Sequence, residues 1–210
     1  MARPRTFDEA QVIETAKQTF WDRGYAATSI DDLSAATGLG RGSLYATFKG
    51  KHEIFVRALT DYTSAALADW TVNLEGGDPL ERLRELVRGM ARGIAGESAL
   101  RGCMMAKSAS ERSVDDSDVL DTTRATLTSM REALQQNLAA AKAAGQLQND
   151  ANVDALASML LALLRGAEAL GKGGISTEVI TEAAEQALAL LPVTAGNEET
   201  QLPAAAPQTV

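Results

Sequence analysis

The chain has 210 residues, of which 45% are hydrophobic and only 4% aromatic, with a formal net charge of -8. That is enough apolar material for one large or two small cores, rich in Ala and Leu, and so points to helices and away from a disordered chain. The acidity argues against non-specific coating of nucleic acid, and the single Cys103 and single His52 exclude an internal disulfide, a Cys-based zinc site, a multi-His metal site and a His-based catalytic triad, which makes an enzyme a poor reading.

Met1 to Arg5 is a short basic arm with no apolar signal core behind it. A helix is expected from Thr6 to Arg23, with Thr6 and Glu9 as a capping box, Ala10, Ile13, Ala16, Phe20 and Trp21 at helical spacing, and Gly24 as its end. Thr28 to Lys51 then reads as two short helices joined by a tight turn. Thr28 and Asp31 supply a capping box, Ile30, Leu33 and Ala36 share one face, Gly38 ends the first helix, and Leu39 is the buried turn residue. The second helix starts at Gly40 or Arg41 and runs to about Phe48. It buries Leu44 and Phe48 and exposes Arg41, Ser43, Tyr45, Ala46 and Thr47. Two helices about a glycine-containing turn, the second one polar, describe a helix-turn-helix whose second helix enters the major groove.

Lys51 to about Glu75 is a long connecting helix, with Ile54, Phe55, Ala58, Leu59 and Tyr62 on one side, stopped by Gly76 and Gly77. Asp78-Pro79-Leu80-Glu81 is a helix start with a cap, proline at the first position and a box acid. That helix carries Leu80, Leu83, Leu86, Val87, Met90 and Ile94. Gly96 to Gly102 is a loop, Cys103 to Arg112 a short helix or turn, and Val114 to Asp118 a polar break. A long helix to about Ala144 carries Leu120, Leu127, Met130, Leu134 and Leu138. Val153 to Leu170 and Ser176 to Leu191 are the last two, poor in charge, and 192–210 reads as a disordered tail. No run is long enough to span a bilayer, so a soluble cytoplasmic protein is expected.

The stretch Ala16 to Phe55, with its G-Y-x-x-T-S-I, A-x-x-T-G-L and S-L-Y-x-x-F-x-x-K elements, resembles the TetR family of bacterial transcriptional regulators. The resemblance covers about the first quarter of the chain and departs from the family at Gly40, where Ser is the usual cap. It implies an all-α fold of about nine helices: a DNA-binding domain at 1–50, and a regulatory, ligand-binding and dimerisation domain at 51–191. It also implies a homodimer on a double-stranded operator, released by a small hydrophobic effector, with no cofactor and no membrane.

The DNA-contacting residues so expected are Thr28, Arg41, Gly42, Ser43, Tyr45, Thr47, Lys49 and Lys51. Arg41 can pair with a guanine edge, Gly42 permits close approach, Ser43 and Thr47 donate, and Tyr45 and the two lysines meet phosphates. His52 is expected to face phosphate or solvent. Arg101-Gly102-Cys103-Met104-Met105-Ala106 resembles a segment bordering the ligand pocket in one branch of the family. Met90, Met104, Met105, Leu127 and Met130 are the expected pocket wall, with Glu111 or Arg165 as a polar anchor. Two rival functions stay open: a thiol-based sensor acting through Cys103, and a helical interaction module with a vestigial DNA motif.

Overall fold

The computed structural model describes residues 7–94, 101–112 and 116–195, and among these the protein is helical throughout, apart from one isolated bridge between Leu147 and Val193. The helices are α1 (Glu9–Arg23), α2 (Ile30–Thr37), α3 (Arg41–Thr47), α4 (Lys51–Leu74), α5 (Pro79–Gly93), α6 (Met104–Arg112), α7 (Ser117–Ala143), α8 (Val153–Lys172) and α9 (Thr177–Ala189). The expected basic arm, the Thr6 cap, most of the 96–102 loop, Val114 and residues 196–210 lie outside the described residues. No described helix is long and apolar enough to cross a membrane.

Helix starts follow local chemistry. Asp8, rather than the expected Thr6–Glu9 box, caps α1, which starts at Glu9, by accepting from Ala10 N at 2.9 Å, and Asp78 caps α5 by accepting from Glu81 N at 2.9 Å with Pro79 at the first position. Asp116 and Asn152 cap α7 and α8 in the same way. The cap of α2 corrects the sequence reading by one residue. Ser29, not Thr28, closes the capping box, with Asp32 rather than Asp31. Both registers offer a hydroxyl with an acid three residues on. What decides is Thr28, which is 1% exposed and donates its hydroxyl to Gly24 O at 2.7 Å. Gly38 ends α2 at φ 70°, a left-handed conformation that a residue with a Cβ adopts at a cost.

Two apolar clusters hold the helices. The first contains Val12, Ile13, Ala16, Phe20, Leu33, Leu44, Phe48, Ile54, Phe55, Ala58 and Leu59, and it also contains Met104, Met105 and Val119. Phe20 meets Phe55 edge to face at 5.1 Å between ring centres and stacks on Tyr25 at 6.2 Å. The second cluster runs from Trp70 through α5, α7, α8 and α9. The core beneath the helix-turn-helix therefore extends past residue 50, over the first half of α4 and onto α6 and α7.

Smaller differences concern register. Ala36 is exposed, Leu39 is half-buried, and Val119 rather than Leu120 faces inward. The expected tail begins later than 192: Pro192 O accepts from Gln148 N at 2.8 Å, Thr194 N donates to Gln146 O at 3.0 Å, and Val193 packs on the second cluster.

Candidate functional site

The first candidate surface is α3. Its seven residues, RGSLYAT, contain no acid, and burial of Leu44 at 1% exposure fixes which side faces in. Arg41, Gly42, Ser43, Tyr45 and Ala46 are consequently exposed, and Thr47 is half-exposed with its hydroxyl donated to Ser43 O at 3.0 Å. Tyr45 is 57% exposed, as expected of a residue on the outer side of α3. A Cβ on Gly42 would meet nothing within 4 Å. Arg41 is paired: its Nε and Nη2 donate to the two carboxylate oxygens of Asp31 on α2. That fork holds the guanidinium at the start of α3 and sets an acid beside it on the same surface.

Two of the expected DNA-contacting side chains point elsewhere. The Thr28 hydroxyl is buried on Gly24 O. The Lys51 ammonium turns back to donate to Tyr25 O and Thr28 O, both at 2.9 Å, and lies 4.0 Å from the centre of the Tyr25 ring. Lys51 thus fastens the turn before α2 to the start of α4. Lys49 is exposed beside Gly50, which offers α4 no side-chain cap. His52 is not simply solvated: its Nε2 lies 2.9 Å from Asp116 Oδ2 and 3.9 Å from Asp118 Oδ2, joining α4 to α7.

The second candidate is a half-open cavity of about 220 Å³ between α4, α5, α7, α8 and the start of α6. Met90, Met105 and Met130 line it as expected, and so does Arg165. Met104 and Leu127 do not: Met104 is 1% exposed within the first cluster, and Leu127 packs on that same cluster. Glu111 is also not an anchor here. Its Oε2 accepts from Tyr25 N at 2.9 Å, and the carboxylate packs so closely on Gly24 (φ 83°) that a Cβ there would lie 2.3 Å from Glu111 Oε1.

The polar side of the cavity is the part the sequence reading missed. Tyr62, Thr63, Asp69, Trp70 and Asn73 come from α4, which reads in the sequence as a connector, and Glu168 comes from α8. Glu168 Oε2 stands 3.1 Å from Arg165 Nη1, close enough for an ion pair but not aligned as a hydrogen bond. Burial pushes the Glu168 carboxyl above the usual carboxylate range, with Arg165 and a hydrogen bond from Cys103 opposing it. Tyr62 donates to Cys103 Sγ at 3.7 Å, and burial, then the neighbouring Cys103, pushes its phenol well above the ordinary range. A charged i,i+3 pair inside the most apolar helix is the signal that marks this wall in the sequence.

One segment joins the cavity to the end of α1 and the turn that leads into α2. Cys103 and Met105 line the cavity. Their neighbours grip the end of α1 and the turn that follows it. Trp21 Nε1 donates to Gly102 O at 2.7 Å, and Arg101 Nε donates to Asp22 Oδ1 at 2.7 Å with its guanidinium 4.0 Å from the Trp21 ring centre. Lys107 Nζ donates to Trp21 O at 3.2 Å and Asp22 O at 3.1 Å, and Glu111 holds Tyr25 N.

Comparison with known proteins agrees with this layout. The family model for bacterial regulatory proteins of the tetR family matches residues 12–58, and that for the tetracyclin repressor-like C-terminal domain matches residues 79–187. The HTH-type transcriptional repressor ComR of Escherichia coli (strain K12) is 29% identical over 192 residues, which cover 90% of this chain and 91% of ComR. A cysteine-substituted form of the TetR family transcriptional regulator CifR, complexed with 26-bp double-strand operator DNA, has a TM-score of 0.74 at 26% identity over 91% of this chain and 100% of that one. Reduced NemR of Escherichia coli has a TM-score of 0.80 at 20% identity, over 89% of this chain and 97% of that one, and shares the fold.

Proposed function

The chain belongs to the TetR family of bacterial transcriptional regulators, and we propose that it is a homodimeric repressor released from a palindromic operator by a small effector bound in the cavity. The observation that carries this reading is the segment 101–111, which walls the cavity on one side and holds the α1–α2 turn on the other. An effector that prefers one arrangement of this segment shifts the setting of α2 and α3. It weakens DNA binding by no more than that preference.

On the DNA side, Arg41 reads a base edge and Lys49 meets a phosphate. Arg41→Ala is expected to lower operator affinity roughly ten- to a hundredfold and to relax preference at one base position. Lys49→Ala lowers affinity for all sequences alike and reduces the salt slope by about one. Asp31→Ala, which removes the acid paired with Arg41, raises affinity for random DNA. Equal loss on specific and random DNA in Arg41→Ala, measured by fluorescence anisotropy, contradicts the base-reading role.

On the effector side, Met105→Trp fills the cavity and blocks the effector, while operator binding persists. Glu111→Ala separates binding from response. Effector affinity by calorimetry stays near that of the unaltered protein, and the effector's weakening of operator binding shrinks, because the hold on Tyr25 N is lost. A full response in Glu111→Ala removes this contact from the coupling.

A second reading is favoured by one observation: Cys103, a free thiol, lines the cavity, where Tyr62 donates to its sulfur. A thiol-based regulator of this kind releases operator on treatment with an electrophile or oxidant, and Cys103→Ser abolishes that release. Release that is equally strong in Cys103→Ser rules it out.

A further inference from the structure

Three polar atoms without a hydrogen-bond partner among the described residues belong to residues that line this one cavity: Trp70 Nε1, Arg165 Nε and Glu168 Oε2. Trp70 is 4% exposed, so its indole N–H has little access to solvent. Buried donors and acceptors in native proteins are almost always paired, and each exception calls for an explanation. Of the five such side-chain atoms among the described residues, these three belong to residues that line a space large enough for a molecule, and they comprise two donors and one acceptor.

Charge narrows what that molecule can be. Arg165 and Glu168 stand 3.1 Å apart and offset each other, and the Arg165 guanidinium lies 5.5 Å from the Trp70 ring centre. Asp69, exposed at the rim, adds a second acid. A carboxylate entering would meet two acids for one base, and a cation would meet Arg165 with its own counter-charge already in place. A neutral molecule meets neither penalty. Leu86, Met90, Met105 and Met130 supply the apolar walls, and three methionines adapt to a flat ring. Size narrows it further. A dry apolar cavity of about 150 Å³ holds one benzene. The 220 Å³ here suits one ring with a small substituent or two, about nine non-hydrogen atoms by that scale.

Resting on the reading of this cavity as the effector site, we propose that the effector is a neutral, single-ring aromatic compound bearing both an acceptor and a donor. The acceptor, a carbonyl oxygen, receives the Trp70 and Arg165 N–H groups, and the donor, a phenolic hydroxyl or amide N–H, is given to Glu168. The phenolic ketones are the simplest members. Selectivity then comes from the polar end, because a site built to hydrogen-bond a group rejects the analogue lacking it far more strongly than an apolar pocket rejects a missing methylene.

The test is calorimetric titration of the full-length protein with four kinds of probe: the three hydroxyacetophenone isomers, acetophenone, toluene and hydroxybenzoate. At least one hydroxyacetophenone isomer is expected to bind tenfold or more tightly than acetophenone, and acetophenone more tightly than toluene. Trp70→Phe should reduce affinity for both ketones about tenfold and leave toluene unchanged, with Trp21 fluorescence reporting that the fold is intact. Glu168→Ala should erase the advantage of the hydroxyl. Toluene or hydroxybenzoate binding as tightly as the best phenolic ketone overturns the proposed class. If that binding is lost in Met105→Trp, the cavity remains the effector site and only the class is wrong. If no probe binds, the class is overturned too. Operator release by some other compound that is unaffected in Met105→Trp overturns the cavity as well.

Discussion

Gly166→Arg is expected to yield a monomer that binds operator roughly 10²–10⁴-fold more weakly, the range lost when two linked half-site contacts become independent. On α8, Met159, Ala162, Gly166, Ala169 and Leu170 are all exposed, and a Cβ on Gly166 would meet nothing within 4 Å. On α9, Val179 at 52% exposure, Ala183, Gln186 and Leu190 at 67% recur at helical spacing on the outer side, while Ile180, Ala184 and Leu188 face inward. Two adjacent helices with apolar outer stripes and small residues between them suit a second copy of the same pair. The substitution does not harm the monomer. Glycine inside a helix costs about 1 kcal/mol against a good helix former, so arginine favours α8 while its charge opposes the interface. Sedimentation velocity reads the outcome, and a dimer at micromolar concentration in Gly166→Arg places the interface elsewhere.

Phe20→Ala is expected to cost about 3–5 kcal/mol of folding free energy, a large part of the ~5–15 kcal/mol of a typical domain. The ring is 1% exposed, sits between Tyr25 and Phe55, and shares a cluster with Met104, Met105 and Val119. Because that cluster takes side chains from α6 and α7, the loss is felt beyond the helix-turn-helix. The two tryptophans report this separately, Trp21 beside the first cluster and Trp70 within the second. Urea titrations of Trp21→Phe and Trp70→Phe proteins should give coincident transitions, and Phe20→Ala should lower both midpoints. An early transition seen by Trp21 alone would mean that the first fifty residues unfold as an independent domain.

The legible part of the sequence was local. Helix starts at Asp78-Pro79 and ends at Gly24 and Gly38 depend on residues a turn apart, and α3 follows from Leu44 and Phe48 four residues apart. Where two local registers were equally good, the reading slipped by one, at Thr28 against Ser29 and at Leu120 against Val119. In the first case the deciding contact was a buried hydroxyl on Gly24 O. What was not legible was distant pairing. Glu111 meets Tyr25 across 86 positions and Lys51 meets Tyr25 across 26, so in sequence both side chains look free for a ligand or a phosphate. The cavity was half legible for the same reason. Its methionines followed from apolar faces, whereas Asp69, Trp70 and Asn73 lie on a helix whose sequence shows only that it is long.

The most direct measurement is selection of DNA from a random pool by the purified full-length protein, followed by sequencing of the enriched fragments. One inverted repeat is expected to be enriched, its half-site centres about one helical turn, ~34–36 Å, apart, with Arg41→Ala relaxing a single position symmetrically in both halves. Enrichment of no sequence, or of a single unrepeated site bound by a monomer, would contradict the proposed dimeric regulator.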